Sequence, residues 1–293
     1  MGLEIFKWIF VLSIGWLFAV CPAMAERKSL LVIADDNPSY TRAYQEIISG
    51  LLTNHDFLIQ EIALTPESHS AINSLLMTNA ADLILAIGNE ANAVVRAIPT
   101  KAKIFSVKTS MLLGHEVGLS LSLDEAIIQQ KLRVYLPHIK QIHIADNGES
   151  TLLFIDNQKT PKFIKQTLAN DQASLVKYLW QTINTADPKT EAVWINNDID
   201  HFFMYKLSER AWERNVTLIS SNLTHLESGI LMVFYPNFKM MGKRLGEMMS
   251  AKDNNSLSLV PINDFNQGIN LKAALHLGIN IPALTEHFSV IIK

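Results

Sequence analysis

The stretch 82–107, DLILAIGNEANAVVRAIPTKAKIFSV, decides how this chain is read. Its apolar run Leu83 to Ile87 is too short for a helix and has the leucine and isoleucine content of a buried strand. Gly88 breaks the run, and Asn89 and Glu90 follow with the character of a cap and first turn. Ala91 to Ile98 continue as a helix until Pro99 ends it. Ile104 to Val107 then supplies a second buried strand. The same grammar returns between Ala192 and Ser220: Val193-Trp194-Ile195, the polar triplet Asn196-Asn197-Asp198 with Asp198 at the cap position, a helix through Trp212, and Val216 to Ser220. Parallel strands joined by a helical crossover leave a crevice at their carboxyl ends, where helix N-termini point outward. Two such units far apart in one chain predict two α/β lobes facing each other across a cleft.

Working outward, the alternation holds on both sides. Leu30 to Ala34, Phe57 to Leu64 and Val117 to Leu121 read as strands, and Thr41 to Leu52 and His69 to Asn79 as helices. A helix starting at Asp124 ends near Pro137, and Ile142 to Ala145 opens the second half. Phe163 to Leu168 is a strand and Ala173 to Ile183 a helix, after a broken passage between Ala145 and Phe163. Gly229 to Tyr235 is a strand, Phe238 to Met249 a helix whose methionines read as core filler, and Val260 to Ile269 is extended. Leu271 to Leu277 is helical, with Gly278 as its C-terminal cap. The fold class that follows is α/β, with two doubly wound parallel-sheet lobes.

Composition narrows the function. With 293 residues, 48% of them hydrophobic and 18% charged, the chain can bury two cores. A net charge of −3 without basic blocks argues against a nucleic-acid partner. The N-terminus has the form of a secretory signal over 1–25: Lys7, the apolar stretch Trp8 to Val20, then Ala23-Met24-Ala25. That stretch is short for a membrane span, which needs roughly twenty residues. The single cysteine, Cys21, leaves with the signal, unless it serves as a lipid-attachment site or the anchor stays uncleaved. A cysteine-free mature chain suits an oxidising compartment, and the expected location is the periplasm.

No motif carries catalysis: there is no Walker A loop, GxGxxG, HExxH or GxSxG. The nine histidines are scattered, without the helical pairing of a zinc site. Asp198, Asp200 and His201 stand close enough in sequence to suggest a metal, but capping and ligand contact suit them better. The expectation is a non-enzyme without cofactor or metal.

The C-terminal passages GILMVFYPNFKMMGKRLGEMM (229–249) and FNQGINLKAALHLGINIP (265–282) carry a family resemblance. They resemble the end of periplasmic binding proteins of the type 1 fold, and more narrowly the ABC-transporter substrate-binding family that includes aromatic amino-acid binders. The closing signature is Asn270, Leu271, Ala274, Leu277, Gly278 and Pro282. The resemblance implies a hinge of three crossings, near Leu121-Ser122, Tyr235-Pro236 and Ile262-Asp264. Lobe 1 would then comprise 26–121 plus 237–263, and lobe 2 would comprise 122–236 plus 264–293. A small ligand would bind between them, its carboxylate received by helix N-termini. Position by position, the first lobe would contribute Asp36, Asn37, Gly88, Asn89 and Thr109. The second would contribute Asp146 or Asn147, Asn197, Asp198, and Ser221 or Asn222. The chain departs from the family at Gly88-Asn89-Glu90, where a hydroxyl-bearing turn is usual, and at Lys108-Thr109-Ser110, where Asp-Pro is. The function implied is delivery of a small ligand, such as an amino acid, to an ABC permease by cleft closure, as a monomer. The alternative is a sensing or interaction module of the same fold with a diverged cleft, signalling to a membrane protein.

Overall fold

Two largely parallel sheets organise the chain in the computed structural model, which describes residues 27–108, 117–123, 125–146, 163–195, 199–251, 259–280 and 286–293. In the first sheet, β1 (Ser29–Asp35) lies between β2 (Leu58–Leu64) and β3 (Leu83–Ile87). Beyond β3 follow β4 (Lys103–Lys108), β5 (Val117–Leu123) and β11 (Leu259–Ile262), giving the order β11-β5-β4-β3-β1-β2. Every pairing in it is parallel. All five residues of β3 are buried, as a strand covered on both faces requires. Helices α1 (Thr41–Leu51), α2 (His69–Met77), α3 (Asn89–Ala97) and α7 (Phe238–Ser250) belong to this half.

The second sheet repeats the plan. It runs β13-β12-β10-β9-β8-β6-β7, with β6 (Gln141–Asp146), β7 (Ile164–Leu168), β8 (Glu191–Ile195), β9 (Thr217–Ser220), β10 (Met232–Pro236), β12 (Phe265–Asn270) and β13 (Val290–Ile292). Its helices are α4 (Glu125–Tyr135), α5 (Gln172–Thr185), α6 (His201–Arg214) and α8 (Leu271–His276). The order β5-β4-β3-β1-β2 of one sheet matches β10-β9-β8-β6-β7 of the other. Even the equivalent strands β1 and β6 end alike, Ile33-Ala34-Asp35 against Ile144-Ala145-Asp146. In each sheet the winding reverses next to the first strand, between β1 and β3 and between β6 and β8, and a crevice opens there.

Three segments join the halves. The first leaves β5 after Leu123, a residue beyond the expected crossing, because β5 still pairs with β11 at that point. The second runs from Pro236 through Asn237 into α7, and the third is the pair Asn263-Asp264 between β11 and β12. Topology sets the arrangement: β11 is parallel to its sheet, so Ile262 lies on the carboxyl edge. β12 is antiparallel to β10, and Phe265 pairs with Pro236 on the carboxyl edge of the other. A link of two residues spans about 10 Å at most. The carboxyl edges of the two sheets therefore face one another. Asn237 N donates to Asp264 O (3.1 Å) and Asn237 Nδ2 to Asn266 Oδ1 (3.2 Å), tying the second and third segments together.

A continuous apolar core passes from Leu30, Leu85 and Phe105 to Ile142, Trp194 and Phe234. Trp194 stacks on Phe234 (6.0 Å), and Phe234 meets Phe265 edge-on (5.8 Å) beside the link. In the first half, α1 and α7 cross so closely that a Cβ on Gly50 would strike the backbone carbonyl of Lys239, and one on Gly242 that of Ile47.

Two elements differ from expectation. The extended stretch 260–269 is two strands in different sheets, interrupted at Asn263-Asp264. The edge strand β13 was not foreseen, being only three residues long, too short for its alternation to register.

Candidate functional site

The gap between the carboxyl edges is built residue by residue from strand ends and helix starts. On the first sheet it begins with Gly88. Its φ of 105° is open to glycine and strained for other residues, and a Cβ there would run into the Asp35 carboxylate. Gly88 is the N-cap of α3, and Asn89 is its first helical residue rather than its cap. The turn is held from below by buried Asn92, whose Nδ2 donates to Gly88 O (2.6 Å), Ala86 O (3.1 Å) and Val107 O (3.3 Å). Gly88 N donates to Val107 O at 2.8 Å, joining the ends of β3 and β4.

From the side, Asp35 closes the arrangement. Its Oδ1 accepts from Ala91 N at 2.6 Å, and its Oδ2 accepts weakly from Glu90 N at 3.4 Å. A carboxylate of the chain itself thus sits on the first turn of α3, where the partial positive charge of the helix is concentrated. Asp36 and Asn37 follow it, both exposed, and Asn37 O accepts from Tyr40 N (3.0 Å) to start the turn Pro38–Tyr40. Tyr44 lies near enough to feel this charge. Burial first, then Asp35 and Tyr40, push its phenol up to about 12. Tyr40 and Tyr44 stack with centroids 6.3 Å apart.

On the second sheet, Asp146 closes β6, the counterpart of β1. Beyond β9, Asn222 caps the turn Leu223–Leu226 through Thr224 N (3.0 Å), and its own amide donates to Ser220 Oγ (3.1 Å). Ser220 Oγ is also hydrogen-bonded to His225 Nδ1, 2.8 Å away. Burial, with a smaller contribution from His201, holds the His225 imidazole down to about 4. Ser221 Oγ is shielded and has no hydrogen-bond partner among the described residues.

Helix α6 is capped by Asp200, whose Oδ1 accepts from Phe202 N at 2.8 Å, instead of by Asp198. The reason is apolar: Ile199 is buried just before the cap and joins the same core cluster as Met204, four residues beyond it, which fixes the helix start. Of the expected site residues, Asp36, Asn37, Gly88, Asn89, Asp146, Ser221 and Asn222 all lie on the facing carboxyl edges. Thr109, Asn147, Asn197 and Asp198 fall outside the described residues. Asp35 is not among the expected site residues, because the apolar run that marks the strand ends at Ala34, one residue short of the end of β1.

Two cavities lined by described residues lie away from this gap. One of about 300 Å³ lies at the amino end of β1 and β2, against Ser29, Leu58 and Ala80, and one of about 240 Å³ beside Tyr205 and Trp212 on α6. Among the described residues no group of three or more histidine, cysteine, aspartate or glutamate residues is gathered as a metal would need.

No protein-family model matches the chain, and no curated protein does. Solved structures do. An ABC domain in complex with L-Trp from Streptococcus pneumoniae is similar at 16% identity and a TM-score of 0.57, covering 91% of this chain and 100% of the other. A ligand-free, open substrate-binding protein with adhesive properties from Clostridium difficile is similar at 15% identity and a TM-score of 0.64, covering 91% of this chain and 99% of that one. A conserved domain protein from Vibrio cholerae gives 15% identity and 0.55, covering 90% and 100%. These likenesses establish the fold: the two-lobed architecture of type 1 periplasmic binding proteins.

Proposed function

We propose that this chain is a periplasmic solute-binding protein whose lobes close on one small molecule and present the closed form to an ABC importer. The observation that carries the reading is the opposition of two carboxyl edges across the short Asn263-Asp264 link, with polar strand ends on both. A ligand bonded to both edges favours the closed arrangement by its differential affinity, and the closed surface is what a membrane partner can read. Support for a small-molecule ligand comes from the similar proteins, one holding L-Trp and another described as substrate-binding. Export rests on the 1–25 signal. The absence of any nucleophile–base motif in the sequence fits binding without chemistry.

The test is a thermal-shift screen of the mature protein, residues 26–293, against amino acids, amines, purines and sugars, followed by small-angle scattering. A ligand at 100 times its Kd is expected to add about 2.7 kcal/mol of stability and to reduce the radius of gyration. Stabilisation without contraction would count against the closing mechanism.

A further inference from the structure

The first lobe already contains the anion that its helix end would otherwise take from a ligand. Asp35 occupies the crevice where the winding of the first sheet reverses, reaching from the end of β1 to the first turn of α3 after β3. Gly88, held at positive φ, leaves room for that carboxylate and for no side chain of its own. Fixed negative charge also follows in sequence at Asp36, and Glu90 lies in the same first turn.

We propose that Asp35 is a specificity-determining residue, a built-in carboxylate that excludes carboxylate ligands from the first lobe. The solute would then be a neutral or amine-bearing molecule rather than a free amino acid bound through its α-carboxylate. This rests on the solute-binding reading above. A second carboxylate at this helix end would face Asp35 at close range with the amide donors already taken, and like charges at such distances repel strongly away from bulk water.

The first experiment compares matched pairs by thermal shift, each L-amino acid against its decarboxylated amine (L-tryptophan and tryptamine, L-phenylalanine and phenethylamine). The amine of a binding pair is expected to stabilise the wild type, and the acid to leave it unmoved. The second measures Asp35→Ala in 100 mM sodium acetate against equal sodium chloride. Freed amides are expected to bind acetate and raise Tm by about 2–4 °C, while wild type shows no difference. The third needs no variant, in case Asp35→Ala does not fold: the Ala91 amide resonance of the wild type is followed during acetate addition and is expected to stay in place. Stabilisation of the wild type by acids over amines, an Asp35→Ala indifferent to acetate, or a saturating Ala91 shift in the wild type would each overturn the assignment. Silence of the whole panel, with acetate rescue of Asp35→Ala intact, would sink the solute-binding reading and leave Asp35 as the occupant of the helix end.

Discussion

At the scale of the residue, the chain is held by groups whose position matters more than their type. Gly88 is the clearest case. An alanine there must adopt a backbone angle that L side chains rarely take, and its methyl must displace Asp35 from Ala91 N. Gly88→Ala is expected to cost about 1–3 kcal/mol, read as a lowered urea midpoint with an unchanged slope. His225 makes a prediction about acid. Its folded-state pKa is about 4 against an ordinary 6.5, so the unfolded chain binds the extra proton in that window. Its contribution is whole above pH 6.5 and is lost as pH falls toward 4, amounting to about 2–3 kcal/mol. His225→Gln should flatten that part of the stability–pH curve, which chemical unfolding at stepped pH would measure. Neither role could be seen in the sequence. Gly88 read as a strand-breaker, correctly, but its partner Asp35 lies fifty-three positions upstream, a pairing no local pattern reveals.

At the scale of the element, the strand β3 falls where its apolar run says, Leu83–Ile87. A fully buried strand with a glycine at its end is about as plain a signal as a sequence offers. Helix starts are less plain. Asp198 and Asp200 are equally good caps by residue type, and the choice of Asp200 comes from the burial of Ile199, a tertiary fact. The glycines of α7, Gly242 and Gly246, set how near α1 can come. Their costs should differ by what a new methyl meets. On Gly242 it meets the backbone of Ile47, which cannot yield, whereas on Gly246 it meets first the ring of His55, which can rotate. Gly242→Ala is expected to destabilise by roughly 2–3 kcal/mol and Gly246→Ala by under about 1.5, compared by denaturant titration of the two variants. A reversed ranking would show that the α1–α7 crossing yields more readily than the His55 ring.

At the scale of the whole molecule, the two-lobed plan was legible because the strand–helix–strand grammar appears twice, around β3 and around β8. The facing of the sheets was not, since it depends on the antiparallel entry of β12 beside β10. The core that runs from one sheet to the other without interruption predicts a single unfolding transition. The tryptophans beyond residue 25, Trp180, Trp194 and Trp212, all belong to the second half. Their fluorescence should therefore melt at the same temperature as the far-ultraviolet circular dichroism of both halves. Two separated midpoints would mean that the lobes are energetically independent.

The bond from Asn237 N to Asp264 O has a mechanical corollary. Two of the three bridges between the halves are laced to each other, so they behave as one stiff axle and not as a pair of loose cords. Rotation of the halves about that axle would leave the bond intact, whereas shearing them sideways past each other would break it. Under the proposed function the jaw is therefore expected to bite along one arc and to refuse a guest that fits only a skewed bite, whatever its charge.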